Sequence, residues 1–351
     1  MIHDTKFVTE RFHRFADQEC RGSTPLYEHL SPRIAEDLDL VSIARRAREG
    51  QPVPNLFFAS VQFLLLSEEG SELAAYYPTL GGDRPPDGGS FRIFKSFCLE
   101  RRAEIENLLR TRLVQTNVIR RSAYLFPAFC LISELCGARP LFLLELGTSA
   151  GINLIWDRFG YDYGEGNIRG MPESPVRVKS SFRGDLRPEF SDTMPKVASR
   201  LGVDLNVIEL ESRDERLWLR SLIWPEHTER VETQERAIDL LLEDPPERLN
   251  GDGVQLIPDL LTATPSGSVA CVFHTHVANQ ISREGKEKLF HIISDYGKRN
   301  DVFHLYNNVK DTHLHLEAYR DGKKSELLVA KIDGHAMRIS FTISRRIGAM
   351  R

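Results

Sequence analysis

The rhythm of apolar and polar positions changes near residue 140. Before it, apolar residues recur at three- and four-residue spacing. Helices are predicted to open at Pro25-Leu26-Tyr27-Glu28-His29-Leu30, to run from Asn55 to Leu66 and from Phe91 to Arg112, and to close with Gln115 to Leu135. The stretch Gly81 to Gly89, GGDRPPDGG, consists of turn residues and is predicted to be an exposed loop. After residue 140, short apolar runs alternate with helical ones, which implies a mostly parallel sheet with helices on both faces. The expected fold class is α/β, with a helical amino-terminal domain over residues 1–138 and a Rossmann-like domain over 139–351. A segment near 160–190, with its own strand at Val176-Arg177-Val178-Lys179, is expected as an insertion.

The first predicted strand, Leu141-Phe142-Leu143-Leu144, ends in Glu145 and breaks into Gly147-Thr148-Ser149-Ala150-Gly151 before a helical pattern starts. Such a turn lies at the carboxyl end of a sheet strand, where ligands bind and where a helix start offers free N–H groups. Two chemistries fit it. As a ligand cradle, Gly147 permits the turn, Ser149 and Ala150 admit close approach, and Gly151 lets the next element pack on the strand. As a nucleophile elbow, Gly147-x-Ser149-x-Gly151 presents Ser149 for covalent catalysis. A glycine-rich turn with no ligand is the purely structural reading.

A doubly wound site also needs an acid at the end of its second strand to accept ribose hydroxyls. Arg200 to Asn206 is predicted to be that strand end, after a helical stretch from Ser191 to Ser199, and Asp204 is the candidate, with Asp185 and Glu209 as rivals. A helical run, Arg230 to Leu242, leads to Asn250-Gly251-Asp252-Gly253. The strand Ser268 to His276 ends in polar residues, and His274 and His276, two apart, are expected to share a face while Thr275 points away. A neutral imidazole there could take a proton from an acceptor, and His274 is the candidate base. Paired histidines also suit a metal, with His313-x-His315 as a second pair, but no metal triad is present in the sequence. Gln115, Asn117 and Arg121 are expected at the start of the last helix before the glycine loop, as substrate contacts or as caps. The tail is predicted as a helix from Lys286 to Lys298, a strand at Asp301–Tyr306, a hairpin of His313–Tyr319 with Leu327–Ile332, and a last strand around Met337–Phe341.

Composition narrows the partners. At 351 residues there is ample chain for a large core, and 27% charged residues is ordinary for a soluble protein. A net charge of −4 points away from nucleic acid. No apolar run approaches the ~18 residues that span a bilayer, and Met1 to Cys20 is too charged for a signal peptide. Cytoplasm is therefore the expected location. Cys20, Cys98, Cys130, Cys136 and Cys271 lack paired spacing, which points to reduced thiols.

Glu145 followed by the small-residue loop resembles the first motif of the class I S-adenosylmethionine (SAM) methyltransferases, whose loop backs onto the methionine part of the cofactor. Gly251-Asp252-Gly253 with Leu256-Ile257-Pro258 resembles the motif after the third strand of many of these enzymes, where the aspartate receives the adenine amino group. In that family the fourth strand delivers its end to the transferring methyl, and an antiparallel strand closes the sheet. The combination of Leu144 to Leu154, Asp157 to Gly164, Gly202-Val203-Asp204-Leu205, Trp218 to Pro225 and Gln115-Thr116-Asn117 resembles an uncharacterised bacterial family, domain-of-unknown-function family 2332, over nearly the whole chain. That family has no established substrate; the resemblance to the class I motifs implies a SAM-dependent methyltransferase acting on a small molecule. Its cofactor contacts would come from Glu145, Gly147, Ser149, Gly151, Asn153, Asp204 and Asp252. A serine esterase built on Ser149 and a non-catalytic SAM- or nucleotide-binding protein remain as alternatives. The esterase requires a sheet before the elbow, and residues 1–138 are predicted to be helical.

Overall fold

The structure, a computed structural model, describes all residues except 1–2, 69, 165, 167, 189, 191–192, 333–337 and 343–351. Helices α1 (Thr5–Phe15), α2 (Pro25–Glu36), α3 (Leu38–Ala44), α4 (Val53–Ser67), α5 (Ser90–Glu100), α6 (Arg102–Thr111) and α7 (Ser122–Leu135) precede the first strand, β1 (Leu141–Leu146). Four short strands follow: β2 (Gly160–Asp162), β3 (Ile168–Gly170), β4 (Arg177–Lys179) and β5 (Ser181–Phe182). Then come β6 (Val197–Asp204), α8 (Arg213–Ser221), α9 (Thr228–Glu243), β7 (Glu247–Asn250), α10 (Gly253–Thr262), β8 (Val269–His274) and α11 (Arg283–Gly297). Strands β9 (Val302–Tyr306), β10 (Leu314–Arg320), β11 (Lys323–Ile332) and β12 (Arg338–Phe341) complete the order. Among the described residues, no helix is long and apolar enough to cross a membrane.

By contact the chain divides into two units. The helical unit holds the described residues up to Thr116 together with Leu210–Glu235, and the second unit holds Asn117–Glu209 and everything from Arg236 onward. The core of the first is aromatic: Phe12 meets Phe57 and Phe58 edge-on, and Tyr27 stacks on Phe58 with centroids 3.9 Å apart. Leu210–Glu235 joins this core although it is remote in sequence. Trp218 packs against Phe63 and donates its indole N–H to the Leu113 carbonyl (2.9 Å), and Trp224 meets Phe15 edge-on. Gln62 Nε2 donates to the Ile223 carbonyl (2.9 Å). Glu226 accepts from Leu26 N (2.8 Å) and Thr24 Oγ1, which places a carboxylate against the positive first turn of α2.

The second unit is built on a nine-stranded sheet in the order β5-β12-β11-β10-β9-β8-β1-β6-β7. β7, β6, β1, β8 and β9 are mutually parallel, so these strands lie in the order third, second, first, fourth, fifth, the Rossmann-like arrangement. β10, β11 and β12 continue as an antiparallel meander. β1, β8 and β9 are buried along their whole lengths, as strands covered on both faces must be. One face packs Leu144, Leu146, Leu201, Val203 and Val272 against α10 and α11. The other receives α7, where Phe129 meets Phe273 edge-on and stacks on Trp156. A small sheet, β3-β2-β4, is drawn from the stretch between residues 160 and 179.

Several expectations are corrected. Residues 197–204 form a strand, not the end of a helix running from Ser191 to Ser199; Ser191 itself lies outside the described residues. The period there is two: Leu201 and Val203 enter the α10 face, whereas Arg200 turns the other way, pairs with Asp157 and donates to the Leu154 carbonyl (3.1 Å). The long helix expected over Phe91–Arg112 breaks at Arg101, where Arg101 and Arg102 interrupt the apolar stripe of Phe94, Cys98, Ile105 and Leu109 and turn to Glu68, Glu104 and Glu106. Gln115 and Asn117 lie on irregular chain, because regular structure resumes with a 3₁₀ turn at Ile119–Arg121 and α7 starts at Ser122. The pattern after Gly151 forms a seven-residue 3₁₀ segment, Ile152–Arg158, interrupted by non-helical Ile155. Of the last predicted strand, Met337 lies outside the described residues. α7 belongs by contact to the sheet-bearing unit: twelve of its fourteen residues are buried, too many for a helix with a solvent face.

Candidate functional site

The carboxyl ends of β1, β6 and β8 carry the polar residues of interest, at the point where strand order reverses around β1. The loop after β1 is held by its neighbour strand: Gly147 N and Thr148 N both donate to the Val203 carbonyl, at 2.7 and 3.2 Å. Gly147 (φ +73°) and Gly151 (φ +83°) adopt left-handed backbone conformations. A Cβ on Gly147 would meet Val277 Cγ2 at 2.0 Å, and one on Gly151 would meet Arg248 Cδ at 3.1 Å, so both glycines also serve packing.

Asp204 closes β6 and meets this loop directly. Its Oδ2 accepts from Ser149 N (2.8 Å) and its Oδ1 from Asn206 N (3.0 Å). Its rivals are elsewhere engaged or exposed: Glu209 pairs with Arg248 (3.3 Å), and Asp185 is exposed on the chain after β5. Asp252 lies just beyond β7 as the N-cap of α10, accepting from Val254 N (2.9 Å) and Gln255 Nε2 (3.1 Å). It is exposed.

Ser149 is nearly buried and has φ +54°, a strained position for a non-glycine residue. Asn117 Nδ2 donates to its Oγ at 2.6 Å. No histidine bonds to Ser149 among the described residues, and Asp301, an acid that a serine elbow could have recruited, sits before β9 at the other end of the strands, bound to Arg139. No strand is contributed by the described residues before Leu141. The elbow therefore has neither a base nor its preceding sheet.

On the α7 face, β1 presents Glu145. It is 2% exposed, accepts from Thr148 Oγ1 (2.8 Å), and burial lifts its carboxyl from 4.5 to about 8 against the opposing pull of Thr148, Asn153 and Arg121. Burial also pushes the Tyr124 phenol up to about 12, opposed by Arg121 and by the polar side chains of Thr275 and Asn307 toward which the hydroxyl leans. Tyr124 Oη, Asn307 Nδ2 and Asn153 Oδ1 are buried without a hydrogen bond of ordinary length. Asn307 uses its Oδ1 to accept from His276 N (2.8 Å), which turns its amide nitrogen to the unpaired side. The guanidinium of half-buried Arg121 has neither a hydrogen bond nor an ion pair within 4 Å among the described residues. Tyr124, Thr275 and Asn307 were not singled out as site residues by sequence reasoning. Their signals were a lone phenol in an otherwise apolar helix and polar residues directly after apolar strands.

His274 lies elsewhere. It pairs with Tyr306 across β8 and β9, while Glu145 pairs with Phe273, so His274 and Glu145 face opposite sides of the sheet. The imidazole is fully buried, its Nε2 is 3.2 Å from His304 Nε2, and burial lowers its pKa from 6.5 to about 4. Phe290 of α11 packs against His304 and Tyr306. As placed, His274 cannot reach the α7 face where the other candidates gather. His276 does not share a strand face with it, because β8 ends at His274 and His276 has φ +61°. His315 bonds to Asp311 (2.9 Å), and the paired histidines form no group of three or more ligating side chains among the described residues. Gln115 falls in the helical unit.

The chain belongs to DUF2332, a family described as an uncharacterized protein conserved in bacteria, whose profile matches residues 9–341. No curated protein and no solved structure matches the chain.

Proposed function

We propose that the chain binds SAM at the carboxyl edge of β1, β6 and β8 and transfers its methyl group to a small molecule. The observation that carries this reading is the direct bond between Ser149 N and Asp204. It joins the small-residue loop of the first strand to an acid at the end of the second, in a sheet of Rossmann-like order, the combination that holds a ribose beside a strand-to-helix turn. In this reading the Asp204 carboxylate receives the ribose hydroxyls, and exposed Asp252 receives an adenine amino group. Glu145 supports the loop through Thr148.

SAM supplies an electrophilic methyl group. The residues on the α7 face bind and orient the acceptor, and holding the reacting atoms near contact is worth an effective molarity of ~10⁵ M or more. With His274 enclosed on the other face, the transfer rests on positioning, and the acceptor is one that presents a free lone pair. Calorimetric titration with SAM and S-adenosylhomocysteine tests the reading. Saturable binding to wild type, lost in Asp204→Ala and retained in Ser149→Ala, is the expected result. No binding of either ligand at millimolar concentration, or labelling of Ser149 by a serine-directed phosphonate, overturns it.

A further inference from the structure

Arg121, Tyr124 and Asn307 come together from three separate elements: the 3₁₀ turn before α7, α7 itself and the residue after β9. Tyr124 is the common neighbour, within electrostatic reach of Arg121, Thr275, Asn307 and Glu145. Tyr124 leans toward Thr275 and Asn307, yet Tyr124 Oη and Asn307 Nδ2 make no hydrogen bond of ordinary length in the interior, and the Arg121 guanidinium has no ion pair within 4 Å among the described residues. A buried donor left without a good acceptor is costly, so convergent ones on separate elements mark a place where a partner arrives from outside the chain.

The charge of that partner follows from the neighbours. The acidic group facing Arg121 is Glu145, which makes no ion pair with it within 4 Å and whose carboxyl is pushed up by burial, so the guanidinium lacks a close counter-charge within the chain. Water could satisfy the N–H and O–H donors but would bring no counter-charge to the guanidinium. A guanidinium fork flanked by a phenol O–H and an amide N–H matches a planar, singly charged acceptor; a dianionic phosphate would remain half-compensated.

We propose that Arg121, with Tyr124 and Asn307, forms a carboxylate-binding subsite, and that the small molecule held at this edge of the sheet carries a carboxylate. The inference deepens the methyl-transfer reading, and its chemistry has two possible sources: the carboxylate of the methionine part of SAM, or one on the methyl acceptor. Asn153, whose Oδ1 is also orphaned, would take a donor on the same molecule.

The experiment compares wild type, Arg121→Gln and Tyr124→Phe, the last removing a single hydroxyl so that a folded variant is assured of being available. Calorimetry is run with SAM, S-adenosylhomocysteine and methylthioadenosine, which lacks the carboxylate. Ligand-observed NMR is run with a set of small carboxylic acids and their matched primary amides. If the subsite serves SAM, Arg121→Gln weakens SAM and S-adenosylhomocysteine about 10- to 100-fold and leaves methylthioadenosine unchanged. If it serves the acceptor, the adenosyl ligands bind equally to both proteins, while acids that bind wild type in preference to their amides lose that preference in Arg121→Gln and weaken in Tyr124→Phe. Either pattern supports the subsite. Acid binding of this kind with no adenosyl binding leaves the subsite standing and removes the SAM reading. The inference is overturned if amides bind as well as acids, if inorganic phosphate competes better than acetate, or if neither variant changes any ligand.

Discussion

Glu145 gives the fold an unusual dependence on pH. Its carboxyl lies at the end of a fully buried strand, and burial raises it from 4.5 to about 8, opposed by Thr148, Asn153 and Arg121 and reinforced by Asp204. Between those values the folded chain keeps a proton that the unfolded chain has lost. The folded state therefore binds more protons, and stability falls as pH rises through the window. At about 1.4 kcal/mol for each tenfold change in proton affinity, the rise amounts to about 5 kcal/mol, a large share of the ~5–15 kcal/mol that holds most domains folded. Glu145→Gln keeps the shape and an acceptor for Thr148 Oγ1 but cannot ionise. The two proteins should have similar stability at pH 5, and the variant should gain progressively on wild type up to pH 8.5, by several kcal/mol. Urea unfolding at half-unit pH intervals measures the difference directly, and other titrating groups cancel in it. A difference that stays flat within about 1 kcal/mol from pH 5 to 8.5 would refute the buried, protonated acid, and with it the uncompensated charge on Arg121.

Other perturbations test other parts of the structure. His274 and His304 are buried in their neutral forms, so their contribution is present above the unfolded value of 6.5 and lost as pH falls toward 4; for His274 alone this is about 3 kcal/mol, and a His274→Leu/His304→Leu variant should show a flatter acid limb in urea unfolding. Gly147→Ala drives a Cβ to within 2.0 Å of Val277 Cγ2 and should destabilise by roughly 1–3 kcal/mol in thermal melts; adding Val277→Ala should recover the overpacking but not the cost of φ +73°. Trp218→Ala removes the contacts to Phe63 and the Leu113 carbonyl, and should cost roughly 3–5 kcal/mol and open Leu210–Glu235 to limited proteolysis.

Local pattern reaches far in this chain where one period dominates. The continuous apolar runs of β1, β8 and β9 and the hairpin of β10 and β11 follow from composition and turn residues at their ends. Residues 197–204 mislead because Ala198 and Ser199 are neutral between periods and Arg200 stands where an apolar residue would mark the strand. Its partner Asp157 is 43 positions away, beyond any local window. The return of Leu210–Glu235 to the helical unit is equally non-local: Trp218 and Trp224 look like core residues of any unit until Phe63 and Phe15 are seen beneath them.

The candidate site shows a subtler dependence, on parity. Phe273, His274 and Thr275 alternate across the end of β8, so a sequence can say that His274 and Thr275 point apart but not which of them meets the ligand. That is decided by what covers each face. The 3₁₀ segment after the glycine loop and α7 lie on the side of Glu145 and Phe273, and α11 seals the side of His274 with Phe290. A histidine is the more reactive residue on paper, yet here it is enclosed at 0% exposure, while Thr275 stands beside the Tyr124 phenol on the other face. Chemistry at this edge therefore follows the face shared by Glu145, Arg121 and Tyr124. The decisive residues there are donors without acceptors rather than a base without a proton.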